Sequence, residues 1–191
     1  MELFLILPVV MNSDMVYIAL GSQDALKRLM DIYMPMVSRI SYRILCDRPE
    51  SEEVTREVFI DVWRNASSFD GRHSISAWLC RITCSLCFHR LRRRHFMEIF
   101  SSRQYVYEYS APLAESPEDD FITKETWAIF CRASQVLTPM QRAVFTLMEL
   151  EGLSVEDTAA ATGLKPNQIK NNLQIARKTI RKELERYGKV R

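Results

Sequence analysis

The chain has 191 residues, of which 47% are hydrophobic and 26% charged, and its formal net charge is +2. This composition is that of a globular protein with one medium-sized domain or two small ones, which excludes disorder throughout. Residues 51–94 carry eight basic and five acidic side chains, residues 152–191 carry nine and four, and residues 95–136 carry three and seven. Two basic blocks separated by an acidic one indicate two nucleic-acid-facing modules and a connector that avoids phosphate.

The first 22 residues are predicted to form an N-terminal tail. Residues 3–10, LFLILPVV, are apolar, but this run is too short to cross a bilayer. Glu2 stands where a signal peptide would carry a positive charge. We therefore expect no stable membrane insertion.

Three helices are predicted in the first module, residues 23–95. The first covers residues 24–45, where apolar residues recur at helical spacing, and Pro35 is expected to kink or break it. A turn is predicted at residues 47–51, and Ser51 is the expected N-cap of the second helix.

The second helix has an apolar face wider than one neighbouring helix requires. One stripe consists of Val54, Val58 and Val62, and a second stripe beside it consists of Phe59, Trp63 and Ala66. Such a surplus indicates a contact beyond a single helix neighbour.

A loop at residues 67–74, which contains Phe69, leads to a third helix over residues 75–94. This helix ends in four arginines, Arg90, Arg92, Arg93 and Arg94. Cations also favour a helix C-terminus, but four within five positions exceed what a cap requires, so we expect them to contact phosphate.

Residues 96–120 lack a sustained period and contain two prolines and the acidic run at residues 118–120, which predicts a flexible acidic linker. Helical spacing returns in the second module, residues 121–191. We expect about four helices there, and the fold class is therefore all-α, with two small helical modules.

The second module is predicted to end in a helix-turn-helix. Ser154 is a good N-cap, and Asp157 three residues later can complete a capping box. Gly163 favours the left-handed conformation that ends a helix, and Pro166 suits the first turn of the next.

The last helix presents two contrasting faces. The expected core face consists of Ile169, Leu173, Ala176, Ile180, Leu184 and Tyr187. The polar face, with Lys165 before it, consists of Asn167, Lys170, Asn171, Gln174 and Lys178. Amide and cationic side chains bind base edges and phosphates in the major groove, although a merely solvated helix face is the alternative.

The five cysteines are an odd number, which favours a reducing, cytoplasmic location. Cys80, Cys84 and Cys87 share one helical face, but no fourth ligand stands at a recognised metal-site spacing. We therefore expect small buried hydrophobic side chains, and neither a metal site nor a cofactor.

The order of these parts resembles the extracytoplasmic-function sigma factors of bacterial RNA polymerase, which retain only regions two and four. Residues 52–94, EEVTREVFIDVWRNASSFDGRHSISAWLCRITCSLCFHRLRRR, resemble region two. Residues 137–184, from LTPMQRAVF to ARKTIRKEL, resemble region four. The resemblance implies a transcription initiation factor that binds core polymerase and promoter DNA, with an anti-sigma factor as a further partner.

The resemblance also implies roles for individual residues. The polymerase-binding positions are Thr55, Phe59, Asp61, Val62 and Trp63. The positions facing the minus-ten element are Ser68, Phe69, Asp70 and Gly71 in the loop and Arg92, Arg93 and Arg94 on the third helix. The positions facing the minus-thirty-five element are Lys165, Asn167, Lys170, Asn171, Gln174 and Lys178.

Two other functions remain open from the residues alone. A free-standing helix-turn-helix regulator would need no apolar docking surface on the second helix. An enzyme is disfavoured because His73, His89 and His95 have no acid or nucleophile partners at a motif spacing, and neither a phosphate-binding glycine loop nor a metal signature occurs.

Overall fold

The computed structural model describes residues 13–101 and 124–188, and the side chains of residues 13–94 and 127–186. Every regular element in these ranges is helical, as the sequence predicts. The α-helices are α1 (residues 13–19), α2 (Gln23–Leu45), α3 (Arg48–Asn65), α4 (Ile75–Ser101), α5 (Lys124–Gln135), α6 (Pro139–Phe145), α7 (Val155–Thr162) and α8 (Pro166–Gly188). A 3-10 turn at Ala66–Ser68 follows α3, and a π-helical turn at Thr146–Leu150 follows α6.

Helices α2, α3 and α4 form a three-helix bundle. Helix α2 begins after Ser22, whose Oγ accepts the Ala25 N–H at 3.3 Å. It continues through Pro35, so the break, which was one of the two expected outcomes, does not occur. Proline removes one backbone hydrogen bond, but Leu29 and Val37 on either side are fully buried, and their packing holds the helix together.

Helix α3 begins four residues earlier than the sequence analysis expected. Asp47 is the N-cap and accepts the Glu50 N–H at 2.9 Å, and Pro49 lies in the first turn, where its missing N–H costs nothing. The predicted turn at residues 47–51 and the Ser51 cap are therefore wrong. Ser51 lies inside the helix, and its hydroxyl donates to the Arg48 carbonyl at 2.8 Å.

The second module follows the predicted caps and turn, except that the predicted capping box at the start of α7 is not completed. Ser154 caps α7 by accepting the Asp157 N–H at 3.0 Å, and the Asp157 carboxylate accepts the Ser154 hydroxyl rather than the cap's N–H. Gly163 ends α7 with φ at +73°, a conformation that disfavours any residue with a Cβ. Helix α8 buries Ile169 and Ala176, but Leu184 near its end is exposed, contrary to expectation.

The two modules pack against each other, with α7 lying along α4. One continuous hydrophobic core includes Val58 and Leu79 of the first module and Ala143, Leu147 and Ala161 of the second. We call this arrangement the closed state.

Buried polar contacts also join the modules. The Arg142 guanidinium donates to the Ile44 carbonyl of α2 at 2.9 Å and to the Ser134 carbonyl at 3.1 Å. The Glu151 carboxylate accepts from Arg39 at 3.0 Å and from Arg43 at 2.5 Å. If the modules separate, these charged groups lose their partners, and water must enter the interface to solvate them.

Helix α4 extends to Ser101, so the predicted linker at residues 96–120 begins within a helix. The rest of that linker and the apolar run at residues 3–10 lie outside the described residues. Among the helices that the structure describes, none is long and apolar enough to span a membrane.

Candidate functional surfaces

Helices α2 and α3 border a groove of about 1220 Å³. Its polar lining includes Arg39, Arg56 and Glu52. Its apolar lining includes Leu26, Met30, Met34, Phe59, Ile60 and Trp63. Ile60 is 47% exposed and Trp63 is 37% exposed. Large apolar side chains left open to water beside one another mark a binding surface rather than a core.

The five predicted polymerase-binding residues divide between this groove and the core. Trp63, Phe59 and Thr55 line the groove, although Phe59 and Thr55 are largely buried. The Thr55 hydroxyl donates to the Ser51 carbonyl at 2.7 Å. Val62 is fully buried in the bundle core and cannot contact a partner in this state, which corrects its assignment. Asp61 is half-buried and stands outside the groove lining.

The second module reaches one end of the groove. Trp127 of α5 lines it and stacks on Tyr42 of α2, with ring centroids 5.5 Å apart. Phe130 also stacks on Trp127, with ring centroids 4.8 Å apart. A partner entering the whole groove therefore competes with an aromatic contact that belongs to the closed state.

The loop after α3 keeps most of its predicted residues open to solvent. Ser68, Asp70 and Gly71 are exposed, and the Asp70 carboxylate accepts the Arg72 N–H at 3.0 Å. Phe69 is half-buried and contacts the Trp78 ring edge to face, with centroids 5.5 Å apart. The Phe69 ring is therefore anchored to α4 while the polar residues of the loop are open to solvent.

The arginines at positions 90–94, within α4, do not share one role. Arg92 and Arg93 are exposed, as a phosphate contact requires. Arg94 is buried, and its guanidinium donates to the Leu45 carbonyl at 3.1 Å and to the Glu50 carboxylate at 2.5 Å. Its expected DNA contact is corrected, because Arg94 ties α4 to the α2–α3 corner. Arg90 pairs with Glu53 at 2.9 Å and with Glu57.

All six predicted residues of the recognition helix region are exposed: Lys165, Asn167, Lys170, Asn171, Gln174 and Lys178. Lys170, Gln174 and Lys178 line a shallow depression of about 340 Å³ together with Arg177 and Arg181. The Arg177 side chain also pairs with Glu149 at 2.5 Å. The clustering of cations around an amide gives α8 the chemistry to bind phosphates and a base edge.

Several surface residues were missed by sequence reasoning. Met30 and Met34 of α2 and Ile60 of α3 line the groove, and Arg181 extends the basic depression on α8. Arg181 follows Lys178 by three residues, a helical spacing that could have indicated it. The methionines gave no comparable signal, since they fit equally well into a core stripe.

The cysteines are free thiols and are buried. Burial raises the pKa of Cys80 and of Cys87 to about 12 each and raises the pKa of Cys84 well above its ordinary value. These three side chains act as small hydrophobic groups in the core, as predicted. Among the residues that the structure describes, no group of His, Cys, Asp or Glu could hold a metal ion.

Comparison with known families matches both modules. Residues 29–96 match the family described as sigma-70 region 2, and residues 132–180 match sigma-70, region 4. The chain is 26% identical to the ECF RNA polymerase sigma factor SigW of Bacillus subtilis over 86% of this chain and 91% of that protein. It is 28% identical to the ECF RNA polymerase sigma factor SigE of Mycolicibacterium smegmatis over 91% of this chain and 68% of that protein.

Solved structures share the fold. The sigma factor RpoE from Bartonella quintana, in complex with the anti-sigma factor NepR, aligns with a TM-score of 0.67 at 20% identity, over 83% of this chain and 96% of that one. CnrH in complex with the cytosolic domain of CnrY aligns with a TM-score of 0.66 at 19% identity, over 91% of this chain and 96% of that one.

The chain consists of two all-α modules, with a groove on the first and a helix-turn-helix on the second, and each module matches a sigma-70 region. Together these features define a sigma factor of bacterial RNA polymerase. Sigma factors are non-enzymatic transcription initiation factors that direct polymerase to specific promoters. Within that class, the chain belongs to the extracytoplasmic-function family, with regions two and four. The free-standing regulator is not favoured.

Proposed function

We propose that the groove between α2 and α3 is where this sigma factor docks on core polymerase. The observation that carries this proposal is the exposure of Ile60 and Trp63 beside a row of apolar α2 side chains. Buried aromatic anchors surrounded by apolar neighbours contribute most of the binding energy at protein interfaces. Arg56 and Glu52 at the same surface provide a polar rim.

The promoter contacts follow from the other exposed residues. With the Phe69 ring beside them, Ser68, Asp70 and Gly71 hold an unpaired base of the minus-ten element, while Arg92 and Arg93 bind backbone phosphate nearby. Asn167, Asn171 and Gln174 read base edges of the minus-thirty-five element, and Lys165, Lys170 and Lys178 bind its phosphates. Capturing a base outside the stack offsets an unpairing cost of about a few kcal/mol and so assists melting.

Promoter binding requires the modules to separate. A compact chain of this length has a radius of gyration of about 16 Å, hence a diameter of about 40 Å. Elements centred near positions minus thirty-five and minus ten lie roughly 85 Å apart on B-form DNA at about 3.4 Å per base pair. The closed state cannot span that distance, so opening precedes or accompanies holoenzyme formation.

An anti-sigma factor fits the same scheme as a partner that binds the closed state. The two aligned structures contain partners, NepR, named as an anti-sigma factor, and CnrY. A protein that covers the groove while the modules are docked would both exclude polymerase from the groove and stabilise the closed state. We place this protein in the cytoplasm, where polymerase acts, and assign it no chemistry of its own.

Titration of a fluorescently labelled protein with core polymerase tests the docking surface. The double variant with Ile60→Ala and Trp63→Ala should bind core polymerase about 2 kcal/mol more weakly, roughly thirtyfold, because both anchors are removed. Leu20→Ala is the matched control, since Leu20 is 78% exposed and lies outside the groove. Equal affinity of the double variant and this control would overturn the groove assignment, provided that circular dichroism shows both to be folded.

A further inference from the structure

Cys46 and Cys131 lie in contact across the boundary between the two modules. Cys46 ends α2 of the first module, in a left-handed conformation with φ at +51°, and Cys131 belongs to α5 of the second. Together with Trp127 they form a small buried cluster separate from the main core. Ser134 joins them, since its hydroxyl lies 3.5 Å from the Cys46 sulfur and donates to the Cys131 carbonyl at 2.8 Å.

This pair differs electrostatically from the other three cysteines. The pKa of the Cys46 thiol is lowered, first by its hydrogen bond with Cys131 and then by the positive charges of Arg142 and Arg94, against the effect of burial. The pKa of the Cys131 thiol is raised by that same hydrogen bond and by burial. The Arg94 and Arg142 guanidiniums donate to the Leu45 and Ile44 carbonyls, next to Cys46 in the chain. Cys46 is therefore the thiol of this pair suited to react as a thiolate, and Cys131 stands beside it as the resolving thiol.

We propose that Cys46 and Cys131 form a reversible disulfide when the cell is exposed to hydrogen peroxide, and that this bond fixes the sigma factor in its closed state. The Cys46 thiolate attacks one peroxide oxygen, the O–O bond breaks, and the departing hydroxide takes up a proton to become water. The Cys131 sulfur then attacks the sulfenic sulfur of Cys46, loses its proton, and releases the second water. Two thiols are oxidised and one peroxide is reduced.

The position of the Cys46–Cys131 disulfide determines its effect on the two modules. Both residues are 7% exposed, so peroxide reaches them when the modules part transiently. The cross-link would then connect the end of α2 to α5 and keep Trp127 stacked over the polymerase groove. A cytoplasmic protein keeps such a pair reduced until oxidant rises, which is the usual setting of a redox-sensing disulfide. This consequence for transcription rests on the proposed requirement for opening.

The test treats the full-length protein with hydrogen peroxide, removes the peroxide with catalase, and then adds core polymerase and a promoter template. Peptide mapping without reductant should find a Cys46–Cys131 linkage, and promoter-dependent transcription should fall by roughly tenfold or more and recover with dithiothreitol. Cys46→Ser and Cys131→Ser should each retain activity after the same treatment. Cys84→Ala, which removes a thiol from the core instead, should respond like the wild type.

The proposal is overturned if the linked peptide does not form, or if Cys46→Ser and Cys131→Ser lose activity in peroxide as the wild type does. Using two separate serine variants guards against one that fails to fold. Failure of the reduced wild type to support transcription would count against the proposed function, whereas a working reduced protein that forms no linkage would count against the disulfide alone.

Discussion

Replacing Glu151 by glutamine should release the closed state. The Glu151 side chain is only 4% exposed and accepts from two arginines of the other module, Arg39 and Arg43. Glutamine keeps the shape and one acceptor oxygen but removes the negative charge. The Arg43 side chain, 11% exposed, would then lose its carboxylate partner in the second module while keeping the Leu150 carbonyl at 3.0 Å.

The size of the effect follows from these environments. Breaking a buried ion pair by removing one partner costs about 3 to 5 kcal/mol. The pair with Arg39, which is 36% exposed, contributes less than about 1 kcal/mol because water screens it. Since glutamine retains hydrogen bonding, we expect a loss of about 2 to 3 kcal/mol, which shifts the equilibrium between closed and open states roughly 30- to 150-fold.

Two measurements report this shift. The radius of gyration from small-angle scattering should increase in Glu151→Gln, and core polymerase should bind more tightly, because a larger fraction of the chain is competent to bind. Glu149→Gln is a closely matched control, since Glu149 pairs with Arg177 inside the second module. If Glu151→Gln and Glu149→Gln give the same radius and the same polymerase affinity, the Glu151 contacts do not hold the modules together.

Three further experiments test the remaining roles. Phe69→Leu should preserve packing beside Trp78 yet reduce promoter opening, measured by permanganate reactivity of promoter thymines; opening equal to wild type would remove this ring from the mechanism. Asn171→Ala should weaken holoenzyme binding by about 1 to 3 kcal/mol on a cognate upstream element and by little on a scrambled one. Lys178→Ala should weaken binding to both sequences alike. Equal losses of affinity for Asn171→Ala on both sequences would refute base reading. Arg94→Ala should lower the free energy of unfolding in urea by about 2 to 4 kcal/mol, and exposed Arg92→Ala by less than about 0.5 kcal/mol; similar stabilities would contradict the buried role of Arg94.

The elements that sequence reasoning predicted best are those fixed by local signals. The cap at Ser154, the left-handed Gly163 and the start of α8 at Pro166 depend on residues within a few positions of one another. The polar face of α8 was also predictable, because helical spacing alone places Asn171 and Gln174 opposite buried Ile169. These features account for most of the candidate upstream-element surface.

The features that sequence reasoning missed depend on distant partners. In the sequence Arg94 is one of a row of equivalent cations, and its contacts with Glu50 and the Leu45 carbonyl, 44 and 49 residues away, show that it is structural. The second helix did carry surplus apolar width, but Val62 and Trp63 could be assigned to core and groove only once α2 and α4 were in place. Docking of the modules had no local signal, since Glu151 and Arg43 are 108 residues apart.

The most direct test of the central claim is transcription from genomic fragments with core polymerase, with and without this protein. We expect specific transcripts that appear only when both are present, and DNA binding to these promoters that requires core polymerase. Tight, sequence-specific DNA binding by the protein alone, without any core-dependent transcript, would instead show a free-standing regulator and would contradict its assignment as a sigma factor.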